Sequence, residues 1–171
     1  MAVGKGGLPP LPAVAGVRLG TTSAGVRKPG RRDLVVIELA PGSTSAGLLT
    51  RNAFCPAPEQ IARAHLKRDA PRHWVINTGN ANAGTGAPGL AAARRVCAAL
   101  AEATGVAIEQ VLPFSTGVIG EPLPAERIIA ALPAALAALD SDGWPLAAEG
   151  ILTTDTRAKG ASREVQLTGG G

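Results

Sequence analysis

Aromatic side chains are scarce in this 171-residue chain, which has two Phe, two Trp and no Tyr. Proteins that bind single-stranded nucleic acid usually stack bases on aromatic faces, so the composition disfavours that class. Cysteine and histidine are also scarce, with two of each: Cys55, Cys97, His65 and His73. No combination of them has a zinc-binding spacing. We therefore expect neither a nucleic-acid partner nor a bound metal.

Long apolar runs are also missing, although 46% of the residues are hydrophobic. The first residues, MAVGKGGLPPLPAV, contain no continuous apolar segment of signal-peptide length, and no later segment is both long and apolar enough to span a bilayer. The cysteine usage does not indicate an oxidising compartment, and Cys97, in an apolar helical run, is typical of a buried free thiol. These features predict a cytoplasmic protein without a membrane partner.

The charge is mildly positive, with 17 basic and 13 acidic residues giving a net charge of +4. The densest basic stretch surrounds Pro29 and contains Arg27, Lys28, Arg31 and Arg32. A phosphate-binding patch is the functional interpretation of this stretch. The chain has no run of five or six like charges, however, and no basic helix carries the stretch. We interpret it as a solvated turn.

The length fits one domain, which we assign to residues 1–171, with enough apolar residues for a sizeable core. Residues 1–12 are rich in Gly and Pro and predict an extended lead-in. Residues 14–19 and 33–40, where β-branched residues and leucine dominate, predict strands separated by a turn at residues 28–30, and further candidates follow other punctuation or alternate in polarity. The predicted strands cover residues 14–19, 33–40, 45–50, 73–77, 111–115 and 162–167.

Helices are predicted where apolar residues recur with helical spacing. They cover residues 59–67, 88–104, 124–139 and 144–151. Gly105 ends the second helix, and Pro133 is expected to kink or divide the third. Because strands and helices alternate imperfectly, we predict a mixed α/β (α+β) fold with helices layered on a sheet, and not a doubly wound parallel topology.

Three glycines, Gly84, Gly86 and Gly89, match the G-x-G-x-x-G dinucleotide fingerprint before a predicted helix. In that fingerprint the first glycine directly follows a strand, so that the pyrophosphate meets the helix N-terminus. Here six residues separate Asn77, the end of the predicted strand, from Gly84. Glycines that supply positive φ in an irregular loop explain the spacing better.

Two hydroxyl-rich segments carry the remaining chemical signal. Thr116 and Gly117 follow an apolar strand, where a hydroxyl and a glycine amide can point at one oxygen, as an oxyanion hole requires. Thr153 begins a Thr-Thr-Asp-Thr run whose hydroxyls can hold a polar ligand. Each segment taken separately is also typical of an ordinary turn or loop.

Together, and in this order, the motifs NTGNANAGTG (77–86), FSTGVIG (114–120) and ILTTDT (151–156) resemble the α chain of the ornithine acetyltransferase family. Earlier segments fit the same pattern, so the resemblance covers nearly the whole chain. The family usually has Met where Leu152 stands, a difference that conserves volume.

The resemblance implies a self-cleaving architecture of the N-terminal-nucleophile type, shared by acetyltransferases and aminopeptidases. A precursor cuts itself before a threonine, and that threonine starts a β chain that completes the α-chain domain, in an α2β2 heterotetramer. This threonine carries an acetyl group from N-acetylornithine to glutamate in arginine biosynthesis, and ornithine is released in the first step. No resident cofactor is implied, although some members also accept acetyl-CoA as donor.

The same resemblance assigns roles to three residues. Thr116 and Gly117 match the oxyanion-hole pair, and Thr153 matches a threonine that contacts the substrate. The family pattern continues beyond Gly169-Gly170-Gly171 to a substrate-binding lysine and the nucleophile, so we expect this chain by itself to be inactive. Thr154, Asp155 and Thr156 receive no role.

Three alternatives stay open at this stage. A self-cleaving aminopeptidase of the same architecture uses serine in place of threonine, and the first residue of the partner chain distinguishes the two enzymes. The second alternative is a dinucleotide-binding module built on Gly84, Gly86 and Gly89. The third is a noncatalytic assembly or regulatory subunit, because the chain shows no nucleophile.

Overall fold

The structure, a computed structural model, describes residues 7–166. Four strands form one sheet in the order β1-β2-β3-β4. The pairs β1–β2 and β2–β3 are antiparallel, and β3–β4 is parallel. The strands are β1 (Val17–Thr22), β2 (Leu34–Leu39), β3 (His73–Asn80) and β4 (Val111–Val118). This mixed α/β architecture confirms the predicted fold class.

Helices cover both faces of the sheet. They are α1 (Ala57–His65), α2 (Gly86–Thr104), α3 (Ala125–Ala137) and α4 (Trp144–Gly150). Helix α1 begins with Pro58 in its first turn, where the missing N–H costs nothing. Helix α2 ends at Gly105 in the left-handed conformation, as predicted. Helix α3 is not divided at Pro133.

The core has two layers, because the sheet is buried on both sides. Leu34 and Val36 of β2 pack with Ile61, Leu100 and residues of α3 on one face. Val35, between them in sequence, packs with Leu19 and with Ala147 of α4 on the other face. Alternate residues of a strand point to opposite faces, so the continuous apolar run of β2 fits a strand covered on both sides.

The predicted strand over 45–50 was wrong. These residues form no regular structure, and the Thr50 backbone is held by side chains of α1. The Thr50 amide donates to Glu59 Oε1, and its carbonyl oxygen accepts a hydrogen bond from Arg63 Nη2 at 2.5 Å. Backbone groups satisfied in this way need no neighbouring strand.

The predictions for the two ends of the chain have different outcomes. Residues 7–12 of the predicted lead-in have no helix or strand, whereas residues 1–6 lie outside the described residues. The strand predicted over 162–167 is absent from 162–166, and residues 167–171 lie outside the described residues. Within residues 7–166 no helix combines the length and the apolar character needed to cross a bilayer.

The scarce Cys and His side chains are mostly buried. Cys97 is fully buried as a free thiol, as predicted, and burial raises its pKa to about 12. His65 Nδ1 lies 2.7 Å from the Val111 carbonyl oxygen, which links α1 to β4. His73 is buried near Glu38 at the start of β3.

Candidate functional site

A cavity of about 430 Å³ opens at one end of the sheet. Its walls come from the basic turn, the ends of β3 and β4, and the segment after α4. Thr116, Gly117 and Thr153 all line it. The structure therefore brings together three residues that lie up to 37 positions apart in the sequence and that the sequence singled out.

The strand directions explain why these segments meet. Strand β1 pairs antiparallel with β2, and β3 runs antiparallel to β2 and parallel to β4. The end of β1, the start of β2 and the ends of β3 and β4 therefore share one edge of the sheet. Thr22 pairs with Leu34, which in turn pairs with Asn77. The loop between β1 and β2 therefore lies at the same edge of the sheet as Thr116, and both line the cavity.

Thr116 and Gly117 lie within β4, not in a turn after it. The predicted strand stopped at residue 115, whereas β4 continues to Val118 alongside β3. Thr116 pairs with Thr78 and Gly117 with Gly79, and the register then shifts at Asn80. Positive φ angles of 138° at Gly117 and 98° at Gly79 accompany this irregular pairing. The prediction of a strand-ending turn at Thr116 was therefore wrong.

Buried asparagines hold the end of β3 in place. Asn77 accepts a hydrogen bond from Ser115 Oγ at 2.6 Å and donates one to the Asn80 carbonyl oxygen at 2.9 Å. Asn80 donates to the Glu121 and Pro122 carbonyl oxygens, each at 3.1 Å. Side-chain amides replace the regular ladder where the register shifts, so the asparagine-rich motif has a structural role.

The glycines of the dinucleotide-like motif have packing roles. Gly84 and Gly86 adopt positive φ, at 69° and 58°. Gly89 lies buried in the first turn of α2, where an added Cβ would collide with Thr85 Oγ1 and stand 2.5 Å from Asn82 Oδ1. None of the three glycines lines the cavity that contains Thr116.

Asp33 fixes the basic turn over the cavity. Its side chain accepts hydrogen bonds from the amides of Ala24 and Val26, both at 2.6 Å, and only 3% of the residue is exposed. The Asp33 carbonyl oxygen also accepts a hydrogen bond from the Thr78 amide at 2.9 Å. One buried residue thus ties the turn between β1 and β2 to the end of β3.

The basic turn forms a wall of the cavity. Its turn conformation confirms the prediction, but Arg27, Lys28 and Arg31 also line the cavity, which the interpretation as a solvated turn missed. Arg27 pairs with Glu121 at 3.1 Å, and Arg31 Nη2 donates to the Leu152 carbonyl oxygen at 2.6 Å. Only the strand order reveals this placement, and no local sequence pattern indicates it.

Thr153 lies next to Leu152, on the segment after α4, and is half-buried. Thr154 also lines the cavity. Asp155 forms an ion pair with Lys159, and hydrogen bonding to that ammonium lowers the pKa of the Asp155 carboxyl. The cavity therefore combines threonine hydroxyls with three cationic side chains, an arrangement suited to negative charge on a ligand.

Comparison with known proteins gives a consistent result. The ArgJ family model matches residues 18–171. The arginine biosynthesis bifunctional protein ArgJ of Pseudomonas fluorescens is 59% identical over 169 residues, which cover 99% of this chain and 42% of that protein. The ArgJ protein of Pseudomonas syringae pv. tomato is 58% identical, over 96% of this chain and 40% of that protein. The chain thus spans about two fifths of the length of these curated relatives.

Two solved structures have the same fold. The arginine biosynthesis bifunctional protein ArgJ of Bacillus halodurans superposes with a TM-score of 0.75 at 32% identity, over 83% of this chain and 74% of that chain. Ornithine acetyltransferase of Mycobacterium tuberculosis, solved in complex with ornithine, superposes with a TM-score of 0.76 at 30% identity. That match covers 90% of this chain and 92% of that chain.

Proposed function

The chain belongs to the ArgJ family, and from this premise we propose that it forms the α chain of an arginine-biosynthetic acetyltransferase. The proposed enzyme moves an acetyl group from N2-acetylornithine to glutamate. The observation that carries the proposal is the convergence of Thr116, Gly117 and Thr153 on one cavity. The similarity to an ornithine acetyltransferase solved with ornithine supports the substrate class.

In the proposed reaction, a threonine at the start of a β chain attacks the acetyl carbonyl carbon of N2-acetylornithine. Its hydroxyl proton passes to its own amine, the carbon–nitrogen bond breaks, and ornithine leaves after taking up a proton. The glutamate amine then attacks the acetyl-threonine ester and restores the hydroxyl. The Thr116 hydroxyl and the Gly117 amide stabilise the oxyanion of each tetrahedral intermediate, while Thr153 contacts the amino-acid substrate.

The surface of the chain supports the proposal of a β-chain partner. Strand β4 lies at an edge of the sheet and carries the exposed Phe114, and the exposed Ile119 follows the strand. The exposed Phe54 lies near Ile119, since both side chains approach Gly84. An edge strand with exposed apolar residues favours coverage by another segment. The curated relatives are more than twice as long as this chain, and we propose that the covering segment comes from the residues that they have in addition.

The proposed reaction needs no resident cofactor, because the acetyl group passes between two amines through an ester. Acetyl-CoA, the other donor that the resemblance implies, would acetylate the same threonine. The family membership favours acetyl transfer over the serine-dependent aminopeptidase and the dinucleotide-binding alternatives.

The test is expression of the full-length protein that contains this chain. Denaturing mass spectrometry should show two fragments, and the second should begin with threonine. The purified complex should form N-acetylglutamate from N2-acetylornithine and glutamate. A serine at that position with peptidase activity, or an uncleaved protein without transfer activity, would contradict the proposal.

A further inference from the structure

The basic wall of the cavity, formed by Arg27, Lys28 and Arg31, has no role in the reaction as described so far. The cavity lining also contains one acidic residue, Asp33, which is buried and bonded to two backbone amides. A carboxylate occupied in this way faces the backbone of its own turn. The wall therefore presents an excess of positive charge to the cavity.

Contacts place this wall against both halves of the proposed site. Arg27 packs on Gly79, since a Cβ added to Gly79 would stand 2.9 Å from the Arg27 Cβ, and Gly79 pairs with Gly117 across the ladder. Arg31 donates to the carbonyl oxygen of Leu152, the residue before Thr153. The wall thus joins the oxyanion residues to the substrate-contacting segment.

The three cationic side chains differ in the bonds that they already make, and therefore in how readily each can bind a ligand. Arg27 is paired with Glu121, and Arg31 is bonded to the Leu152 carbonyl oxygen. Lys28 makes no hydrogen bond or ion pair with any residue in the range 7–166, and its side chain is exposed at the cavity. Its flexible ammonium is therefore the charge that can turn to a ligand.

The two amino acids of the proposed reaction differ at one end. Ornithine carries a side-chain ammonium, whereas glutamate carries a side-chain carboxylate, and both share the α-amino-acid group. A positive wall attracts the carboxylate and repels the ammonium. We infer that Lys28, supported by Arg27 and Arg31, selects glutamate as the acetyl acceptor by binding its side-chain carboxylate and favours the release of ornithine.

This inference rests on the proposed acetyl transfer, so the experiment is designed to distinguish failure of the inference from failure of the proposed function. Steady-state kinetics of the assembled full-length enzyme should compare wild type with Lys28→Gln, Lys28→Arg and a matched control, Lys67→Gln. Lys67 is an exposed lysine two residues after the end of α1, outside the cavity lining. Glutamate and glutamine serve as alternative acceptors, because they have nearly the same shape and the glutamine side chain carries a neutral amide in place of the charged carboxylate.

For Lys28→Gln we expect the KM for glutamate to rise about tenfold, a change of about 1.4 kcal/mol. The preference for glutamate over glutamine should fall by a similar factor, and the KM for N2-acetylornithine should stay constant or fall. Lys28→Arg should keep most of the preference, and Lys67→Gln should behave as wild type. A general structural defect would raise both KM values and leave the preference unchanged.

The outcomes distinguish the two failures. If the wild-type enzyme transfers no acetyl group to glutamate, the proposed function is wrong. If it does and Lys28→Gln keeps both the glutamate KM and the glutamate preference, the inference is wrong. If Lys28→Gln raises only the KM for acetyl-CoA, the wall binds the phosphates of that donor, and the inference about glutamate is likewise overturned.

Discussion

Gly117 lies against Gly79 so closely that a Cβ on Gly117 would overlap the Gly79 carbonyl carbon and stand 2.6 Å from the Asn80 nitrogen. Gly117 also has a φ of 138°, which residues with a side chain rarely adopt. Two independent constraints thus require glycine at this position. The absence of a side chain serves the contact between β3 and β4, in addition to any access that it gives to the Gly117 amide.

We expect Gly117→Ala to destabilise the full-length protein by about 2 kcal/mol or more, because backbone strain and overpacking each cost about 1–3 kcal/mol. Urea unfolding measures this change. Gly105→Ala is the matched control, since Gly105 has a φ of 69° but no atom within 4 Å of an added Cβ. An equal loss of stability in both variants would show that the close contact with Gly79 is unimportant.

Thr116→Val tests the proposed oxyanion role, because it keeps the shape of the side chain and removes the hydroxyl. We expect kcat for acetyl transfer to fall about a hundredfold or more, about 2.7–4 kcal/mol of transition-state stabilisation, with KM little changed. Thr116→Ser should keep much of the rate. Discontinuous assays with N2-acetylornithine and glutamate as substrates give both kcat and KM.

Self-cleavage also passes through an oxyanion, so the maturation of the Thr116 variants must be checked by gel before the assay. Only fully cleaved enzyme is compared. Cleaved Thr116→Val enzyme with wild-type kcat would remove Thr116 from the oxyanion hole and leave it as an ordinary residue of β4.

Thr153→Val tests the substrate contact. Loss of one hydrogen bond to the bound amino acid costs about 0.5–1.5 kcal/mol, so the KM for N2-acetylornithine should rise about two- to tenfold. Because Thr154 also lines the cavity, Thr154→Val provides a comparison on the same segment. Unchanged kinetics in correctly cleaved Thr153→Val enzyme would exclude the contact.

Local sequence patterns predicted most of the helices and strands, because these elements depend on residues that are close together in the sequence. The continuous apolar run of β2 and the glycine that ends α2 are examples, and both are present. The failed strand over 45–50 has two leucines and a threonine but also Gly47, and side chains of α1 bond its Thr50 backbone groups. Those bonds come from residues 9 and 13 positions further along the chain, which the pattern of the segment itself does not include.

The candidate site likewise contains residues that local motifs predicted and residues that they missed. Thr116, Gly117 and Thr153 were predicted from motifs, and the structure places all three on one cavity. Lys28 and its basic neighbours were missed, because their position depends on the strand order that brings the β1–β2 loop to the ends of β3 and β4. A charged turn looks the same in sequence whether it faces solvent or a cavity.

His73 predicts how stability depends on pH. Burial lowers its pKa below the ordinary value of 6.5, with Glu38 partly opposing and Arg72 and Arg18 adding to the effect. As the pH falls below 6.5, the unfolded chain binds a proton at His73 while the folded chain keeps the ring neutral. The unfolded state then binds more protons, so this residue's contribution to stability is present above 6.5 and is lost as the pH falls through the lowered pKa.

We expect His73→Leu to flatten this dependence. Neither ring nitrogen of His73 has a hydrogen-bond partner among the described residues, so the substitution removes the titrating group without breaking a hydrogen bond. The measurement is the free energy of unfolding of the full-length protein at about pH 7.5 and about pH 5.5, on either side of the ordinary histidine pKa. Other groups titrate in both proteins, so the difference between wild type and variant isolates His73. An equal loss of stability in both proteins on acidification would mean that His73 takes up a proton in the folded state as readily as in the unfolded one, and that burial does not control its charge.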